Sequence, residues 1–235
     1  MALGLLATGP ASAGRLLVIT ATAGYRHDSI PATVAAIEAL AAPFDLVVER
    51  LDGPAPLPHL ALDGVTAVVL AQTTGDFLAP EAAQALERFV RAGGGLLAVH
   101  AAADAHYGWP AYEELLGAWF RAHPPGLQTT VVRFAEDAPG FHALDGGRSW
   151  PVTDELYDFR TNPRARVRVI ATIDERIYAG GTMGEDHPIA WCRALGRGRS
   201  WYTGLGHRSE LFADPVMHEH LGRGLAWVAG RSEVC

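Results

Sequence analysis

GGGLLAVHAAAD, residues 93–104, indicates where the fold of this chain is centred. A continuous apolar run of this length, bounded by glycines, is typical of a strand buried on both faces of a parallel sheet. In such sheets, ligands bind beyond the carboxyl ends of the strands. We therefore expect His100 and Asp104, which end the apolar run and follow it, to lie at a ligand-binding edge.

The residues before and around this strand alternate between apolar strands and amphipathic helices. Predicted strands cover residues 15–21, 45–50, 65–71 and 96–100, and predicted helices cover residues 30–40 and 80–92. This alternation indicates an α/β fold with a doubly wound, mainly parallel sheet. Polar loops follow three of the strands, at residues 22–28, 72–76 and 100–104. If these strands are neighbours, the loops meet at one edge of the sheet.

The second half of the chain is less regular, and it predicts an antiparallel insertion in the sheet. Residues 128–134 alternate between polar and apolar side chains, as an antiparallel strand with one buried face does. Residues 189–193 and 200–203 indicate a strand pair joined by the turn Gly196-Arg197-Gly198. No internal repeat or linker interrupts this pattern.

We predict one domain over residues 15–230, with residues 231–235 as a tail and residues 1–14 as a leader or disordered N-terminus. The leader is apolar and rich in small residues, and its Ala11-Ser12-Ala13 resembles a signal-peptide cleavage site. It lacks the basic region of a secretory signal. We therefore predict a cytoplasmic protein, with secretion as the alternative if residues 1–13 are the remnant of a signal peptide.

Composition and charge exclude several classes of partner. The chain has 235 residues, 49% hydrophobic and 19% charged, with a formal net charge of −7. Its basic residues form no dense cluster, so neither nucleic acid nor a membrane surface is an expected partner. The two cysteines, Cys192 and Cys235, cannot form a disulfide framework, and we expect Cys235, the last residue, to be mobile. Whether the chain forms a homo-oligomer is left open.

Histidines in loops and at strand ends are the first candidates for chemistry. They are His27, His100, His123, His187 and His207. In Arg26-His27-Asp28 the imidazole can act as a base oriented by a carboxylate or as a metal ligand, and His100 with Asp104 can do the same. One such histidine alone is more often structural. Their recurrence at predicted carboxyl-end loops favours a functional cluster.

The remaining motifs limit the cofactors. Asp186-His187-Pro188 follows a glycine-rich segment that contains neither GxGxxG nor GxxxxGK[ST], so we expect no nucleotide cofactor. A divalent metal such as zinc, if one is bound, would be held among His27, His100, His187 and His207. No HExxH motif and no paired-cysteine spacing supports that site.

Two further segments bear on the type of reaction. Asp154-Glu155 lies near Tyr157 and Asp158, and paired carboxylates can perform acid–base chemistry on glycosidic bonds. We expect this segment instead to be a solvated acidic strand edge. Residues 101–103 are alanines where a nucleophile elbow would carry serine or cysteine, so covalent catalysis from this turn is excluded.

Several segments together resemble the ThuA-like (trehalose utilisation) family. They are AGYRHDSIP at residues 23–31, TTGD at 73–76, residues 93–104, HP at 123–124, DELY at 154–157, NPR at 162–164, GEDHPIAW at 184–191 and GLGH at 204–207. The resemblance covers nearly all of residues 15–230, in order.

This resemblance implies an α/β fold like that of flavodoxins and class I glutamine amidotransferases. It also implies a role in carbohydrate metabolism, through 3-keto-sugar intermediates, with a small carbohydrate as the ligand. Glutaminase activity is not implied, because the amidotransferase cysteine is replaced within Ala101-Ala102-Ala103.

The sequence thus leads to two hypotheses. The first is a hydrolase, lyase or isomerase that acts on a disaccharide, glycoside or 3-keto-sugar by acid–base chemistry, with or without a metal. Its predicted catalytic residues are His27, His100, Asp104 and His187. Its predicted substrate-binding residues are Arg26, Asp28, Thr74, Asp76, Tyr157, Asp186 and His207. The alternative is a non-catalytic carbohydrate-binding or regulatory module on the same fold.

Overall fold

The computed structural model describes residues 14–136 and 147–235, so the predicted leader lies outside the described residues except for Gly14. The strands are β1 Gly14–Ile19, β2 Leu46–Leu51, β3 Val65–Ala71, β4 Gly95–Val99, β5 Phe120–Ala122, β6 Gln128–Phe134, β7 Ser149–Asp154, β8 Asp158–Phe159, β9 Arg168–Ile173, β10 His187–Leu195 and β11 Gly198–Thr203. The helices are α1 Ile30–Ala41, α2 Pro80–Arg91, α3 Pro110–Leu116 and α4 Pro215–Val228.

Nine of these strands form one mixed sheet in the order β2-β1-β3-β4-β11-β10-β9-β6-β7. From β2 to β11 neighbouring strands are parallel, and from β11 to β7 they are antiparallel. This confirms the α/β class, and the second half of the chain supplies the antiparallel strands. The predicted strand pair around Gly196-Arg197-Gly198 is β10 and β11.

β4 lies in the parallel part of the sheet, between β3 and β11, and all of its residues are buried. Its apolar sequence suits this position because each face is covered by helices or by other core side chains. The strand predicted at residues 96–100 is displaced by one residue. It ends at Val99, and His100 begins a short 3-10 turn with a φ of 47°.

The helices form where apolar spacing and end signals agree. In α2, Ala82, Leu86 and Val90 recur every four residues and are buried, and a proline opens the helix. α1 packs against α4 and α2 packs against α3, while α2, α3 and α4 all contact β11. No helix within the described parts of the chain is both long and apolar enough to cross a membrane.

The expectation that Cys235 is mobile is wrong. Its side chain is buried and forms a disulfide with Cys192 of β10, across Cα atoms 6.4 Å apart. Arg168 of β9 donates to the Cys235 carbonyl at 3.1 Å, and Arg199 of β11 donates to the Ser232 carbonyl at 2.5 Å. Residues near the end of the chain are therefore held against the sheet.

Close packing between α4 and β4 requires glycine at position 95. A Cβ on Gly95 would stand 2.0 Å from the Val228 carbonyl oxygen, which belongs to the α4 backbone. We expect Gly95→Ala to lower the free energy of unfolding by about 1–3 kcal/mol or more, because helix and strand must separate. Urea unfolding measures this.

The matched control is Gly108→Ala, since a Cβ at Gly108 meets no atom within 4 Å. Gly108→Ala should change the free energy of unfolding by no more than about 0.5 kcal/mol. Equal losses for the two variants would contradict the packing argument.

His220 in α4 predicts a pH dependence of stability. Its ring is fully buried, with its centroid 5.1 Å from that of Trp201 and 5.8 Å from that of Phe134. Burial, with a smaller contribution from Arg223, lowers the pKa of His220 to about 3. In the unfolded chain a histidine titrates near a pKa of about 6.5. The unfolded state therefore takes up this proton first as the pH falls.

The stability that His220 contributes as a neutral group is complete above pH 6.5 and decreases as the pH falls towards 3. We expect a slope of up to about 1.4 kcal/mol per pH unit from this group between these limits. His220→Gln should reduce the slope in urea unfolding at a series of pH values, and the exposed His59→Gln should not. Unchanged slopes in both variants would contradict the assignment.

Candidate functional site

The polar side chains after β1, β4 and β11 meet one side chain that arrives from β7. They are His27, His100, His207 and Glu155, and one ligand atom from each lies within 4.8 Å of the others. We call these four residues the His–Glu cluster. Because β1, β3, β4 and β11 are parallel neighbours, their carboxyl ends share one edge, as the sequence predicts.

The spacing within the His–Glu cluster is longer than that of good hydrogen bonds. Glu155 Oε2 lies 3.5 Å from His100 Nε2 and 3.3 Å from His207 Nδ1. The His27 ring centroid is 5.0 Å from that of His100 and 5.2 Å from that of His207. Ligand atoms about 2.0–2.1 Å from a tetrahedral zinc ion stand about 3.3–3.4 Å apart. The cluster therefore has the spacing of ligands around a metal.

Hydrogen bonding directs an imidazole lone pair into the cluster. His100 Nδ1 donates to the Gly204 carbonyl at 2.7 Å, which leaves Nε2 as the acceptor facing Glu155. His100 Nε2, His27 Nδ1 and His207 Nδ1 are buried and have no hydrogen-bond partner among the described residues. Buried nitrogens without partners beside a carboxylate fit a bound cation, and a carbonyl that orients the ring is the usual support of a histidine ligand.

The charge states of the cluster agree with this geometry. Burial, with smaller contributions from His100 and His207, lowers the pKa of His27 to about 3, so this imidazole is neutral. Burial acts to raise the pKa of Glu155, but the imidazoles of His100 and His207 beside it outweigh burial and lower the pKa. The neighbouring Glu155 carboxylate raises the pKa of His207. Histidine nitrogens and one carboxylate form a donor set that suits zinc.

One side of the His–Glu cluster is open to solvent. The Glu155 side chain is 12% exposed and that of His207 is 29% exposed. On this side His123 places Nε2 3.4 Å from Glu155 Oε1, while its Nδ1 donates to the Pro124 carbonyl at 2.8 Å. A structural zinc site is closed by protein ligands, whereas a catalytic one keeps a position for water or substrate. The open side resembles the catalytic type.

The backbone of Gly204 to Arg208 connects the loops that carry the cluster. The Gly206 N–H donates to Asp154 Oδ2 at 2.7 Å, and the Arg208 N–H donates to Asp154 Oδ1 at 3.1 Å. Asp154 is fully buried, and burial raises its pKa. Its carboxylate therefore fixes the backbone on both sides of His207 and, through the chain, the position of Glu155.

The carbonyl of Gly206 is also fixed by hydrogen bonds. Its oxygen accepts one from Ser29 Oγ at 3.0 Å and one from Gln72 Nε2 at 3.2 Å. Gly206 has a φ of 129°, which side chains rarely adopt, and a Cβ there would stand 3.0 Å from the Phe212 ring. Only glycine fits this position.

Aromatic rings form the walls of the cluster. The Tyr157 ring lies against His100 with centroids 4.2 Å apart, and it also contacts Phe120 at 4.2 Å. Tyr25 packs edge-on against His27 at 4.8 Å and is 65% exposed. Tyr157 is thus placed at the site that the sequence predicts for it, and Tyr25 marks the entrance.

Two of the predicted catalytic residues lie outside the His–Glu cluster. Asp104 Oδ1 accepts from the Tyr107 hydroxyl at 2.6 Å, and no hydrogen bond joins Asp104 to His100 within the described chain. His187 lies in a second group with Asp158 and Glu175. Its Nδ1 is 2.7 Å from Glu175 Oε1 and its Nε2 is 2.9 Å from the Tyr157 carbonyl, so both nitrogens make direct hydrogen bonds.

The predicted substrate-binding residues are distributed around the same edge. Arg26 pairs with Asp52 at 3.0 Å, Thr74 Oγ1 donates to the Tyr25 carbonyl at 2.8 Å, and Asp28 is exposed near His207. Asp76 lies beside His106, in a separate groove. Asp186 forms a surface ion pair with Arg164, whose Nε is 2.7 Å from Oδ2.

The expectation that Asp154-Glu155 is a solvated strand edge is wrong. Successive strand residues point to opposite faces, and here one carboxylate is buried under the Gly206 backbone while the next enters the cluster. His123 was noted as a loop histidine, but its part in the site was not predicted. The adjacent carboxylates after an alternating strand were the available signal for Glu155.

The Asp154 contacts predict a specific loss of stability. Asp154→Asn places an amide where two backbone N–H groups need acceptors, so one donor is left without a partner. We expect the free energy of unfolding to fall by about 1–3 kcal/mol in urea. Asp52→Asn, which removes an exposed carboxylate paired with Arg26, should change it by less than about 1 kcal/mol. Comparable effects would show that Asp154 does not organise this loop.

Comparison with known proteins places the chain among relatives of the same fold. A ThuA-like protein from Bacteroides uniformis is 20% identical, with a TM-score of 0.76 over 96% of this chain and 95% of that chain. A ThuA-like protein from Parabacteroides merdae is 19% identical, with a TM-score of 0.72 over 93% and 90%. A β-galactosidase from Bacillus circulans is 14% identical, with a TM-score of 0.52 over 95% of this chain and 32% of that chain.

At these identities the similar structures show the fold alone. None of the curated proteins compared matches the chain. The sequence pattern of the ThuA family, described as trehalose utilisation, matches residues 15–228. Because this match spans nearly the whole described chain, the chain belongs to the ThuA (trehalose utilisation) family.

Proposed function

We propose that this chain is an enzyme of carbohydrate metabolism that acts on a disaccharide, glycoside or 3-keto-sugar with a divalent metal, zinc by preference, held by the His–Glu cluster. The observation that carries the proposal is the spacing of Glu155 from His100 and His207, at 3.5 and 3.3 Å, beside a solvent-facing side. The family membership supports the sugar substrate, and the donor set supports the metal.

The residues of the chain divide the work in this proposal. His27, His100, Glu155 and His207 would hold the metal, which would supply a Lewis acid for a substrate oxygen and for the negative charge that develops there. His123 Nε2 faces the same space from the exposed side and takes up or delivers a proton. A keto group acidifies the neighbouring C–H bond, and an imidazole is a suitable base to remove that proton.

The second group of acidic and imidazole side chains supports the site in this proposal and does not bind metal. His187 spans Glu175 and the Tyr157 carbonyl at hydrogen-bond distances, 2.7 and 2.9 Å. Through Tyr157 it fixes the ring that packs on His100. We therefore assign His187 a positioning role, in place of a direct catalytic one.

The finer features of the fold are part of the proposal. The paired contacts of α1 with α4 and of α2 with α3 support a doubly wound, amidotransferase-like sheet. The fully buried Ala101, Ala102 and Ala103 occupy the turn after β4 and support the absence of glutaminase activity. They equally suit the alternative, a non-catalytic carbohydrate-binding or regulatory module.

The Cys192–Cys235 disulfide bears on where the protein functions. Disulfides persist in oxidising compartments and are rare in the cytosol. It supports secretion over the cytoplasmic location predicted from the sequence. Small carbohydrates remain the proposed partners, with nucleic acid and membranes excluded from the proposal.

Metal analysis tests the first part of the proposal. Wild-type protein purified after growth with zinc should carry about one zinc ion per chain, measured by mass spectrometry of the metal. His100→Ala and Glu155→Gln should lose it, whereas His187→Gln and the exposed His59→Ala should keep it. Wild-type protein that neither retains nor binds zinc, manganese or cobalt would rule out the metal site.

Turnover tests the second part. The metal-loaded protein is incubated with 3-keto-trehalose and simple 3-keto-glycosides, and products are followed by NMR. We expect His123→Gln to keep the metal and to lower kcat by about 10²–10⁴-fold, because a proton-transfer group is lost. Loss of turnover with a chelator and its return with metal would link the two parts. Binding without turnover across the series would favour the module.

A further inference from the structure

A groove separate from the His–Glu cluster lies between the loops that follow β3 and β4. Its volume is about 500 Å³, which falls in the range of small-ligand sites. It is lined by Leu78, Ala83, Gln84, His106, Trp109 and Asp76, among others. We call it the Trp109 groove. None of the four cluster residues lines it.

His106 is held in the groove in one orientation. It is 6% exposed and has a φ of 49°, a conformation that non-glycine residues rarely adopt. The Leu78 N–H donates to Nε2 at 3.3 Å, so Nδ1 carries the proton and faces Asp76 Oδ1 at 3.5 Å. Backbone strain of this kind persists where the surrounding structure enforces it, and it concentrates at ligand sites. The other histidine with such a backbone, His100, belongs to the cluster.

The chemistry of the lining defines the class of ligand. Trp109 packs against His106 and Tyr112 and is partly exposed, so its indole face can receive an apolar ring face. The Asp76 side chain is 83% exposed and, with the exposed Gln84 amide, offers acceptors and donors for hydroxyl groups. Among the described residues no arginine lines the groove, which disfavours anions.

We propose that the Trp109 groove binds a neutral pyranose ring, stacked on Trp109 with its hydroxyls bonded to Asp76 and Gln84. A pyranose combines an apolar C–H face with hydroxyls around its edge, as this lining requires. The assignment does not depend on catalysis at the His–Glu cluster, because the groove is built from other residues.

The loop after β3 contributes to both the Trp109 groove and the His–Glu cluster region. It carries Asp76, which lines the groove, and Thr74, whose Oγ1 donates to the Tyr25 carbonyl at 2.8 Å beside the cluster. The Gly75 N–H between them donates to the Asp104 carbonyl at 2.9 Å, and a Cβ on Gly75 would stand 2.9 Å from the Gly24 nitrogen. The two sites are thus connected through one closely packed loop and are lined by different residues.

Saturation-transfer NMR and calorimetry with methyl α-glucopyranoside and trehalose test this inference on the full chain. Trp109→Ala should weaken sugar binding at least tenfold, whereas Trp109→Phe should retain most of the wild-type affinity. Gly108 lines the groove and a Cβ there meets no atom within 4 Å, so Gly108→Trp adds an indole to the lining and should block binding in folded protein. Asp76→Asn should weaken binding severalfold.

The control variants separate the groove from the cluster. His100→Ala should leave sugar binding intact, which distinguishes failure of this inference from failure of the proposed metal enzyme. Asp63→Asn changes an exposed carboxylate that precedes β3, at the opposite end of the strand from Asp76, and should have no effect. Binding that is absent in wild type, unchanged by Gly108→Trp or lost only in His100→Ala would overturn the inference. Competition by choline at a concentration equal to or lower than that of the sugar would also overturn the inference, because the groove would then select cations.

Discussion

The peptide group of Gly206 is the point on which the site depends. The Gly206 N–H donates to the Asp154 carboxylate, and the Gly206 carbonyl accepts from Ser29 and Gln72. All three partners are buried. Ser29 follows His27 by two residues, and Asp154 and Gly206 directly precede Glu155 and His207. A buried polar group without a partner costs about 1–3 kcal/mol, so these loops are stable only in one another's presence. The side chains of the His–Glu cluster are therefore positioned as a set.

The backbone of His100 shows how strain is held at the centre of the sheet. The backbone of His100 has a φ of 47°, and two hydrogen bonds hold it in this conformation. His100 Nδ1 donates to the Gly204 carbonyl, and the Tyr202 hydroxyl donates to the His100 carbonyl. The alanines that follow are fully buried and bring no polar group into the turn. The turn after β4 therefore directs the lone pair of His100 Nε2 towards Glu155, and its alanines carry no nucleophilic side chain.

The His–Glu cluster and the group around His187 both combine histidine with acidic side chains, but the distances within them differ. In the His–Glu cluster, His207 Nδ1 and His100 Nε2 lie 3.3 and 3.5 Å from Glu155 Oε2. Neither of these two nitrogens has a hydrogen-bond partner among the described residues. Around His187 the distances are 2.7 and 2.9 Å and both nitrogens are bonded. One arrangement leaves space for a cation between its members, and the other closes on itself. Sequence patterns of Asp, Glu and His do not distinguish the two.

Local sequence determined the class of the fold and one edge of the site. The apolar run of β4, the helix signals of α1 and α2, and the polar loops after β1, β3 and β4 follow from periodicity and end residues, so they were predictable. Glu155 comes from β7, at the far edge of the sheet, and only the tertiary structure brings it to His100. The same holds for His187, whose bonds to Glu175 and to the Tyr157 carbonyl join distant parts of the chain. Asp104 is separated from His100 by a local contact, the hydrogen bond from the Tyr107 hydroxyl. Sequence spacing governs neighbours along a strand or helix, whereas a site assembled across the sheet depends on chain paths that no local pattern encodes.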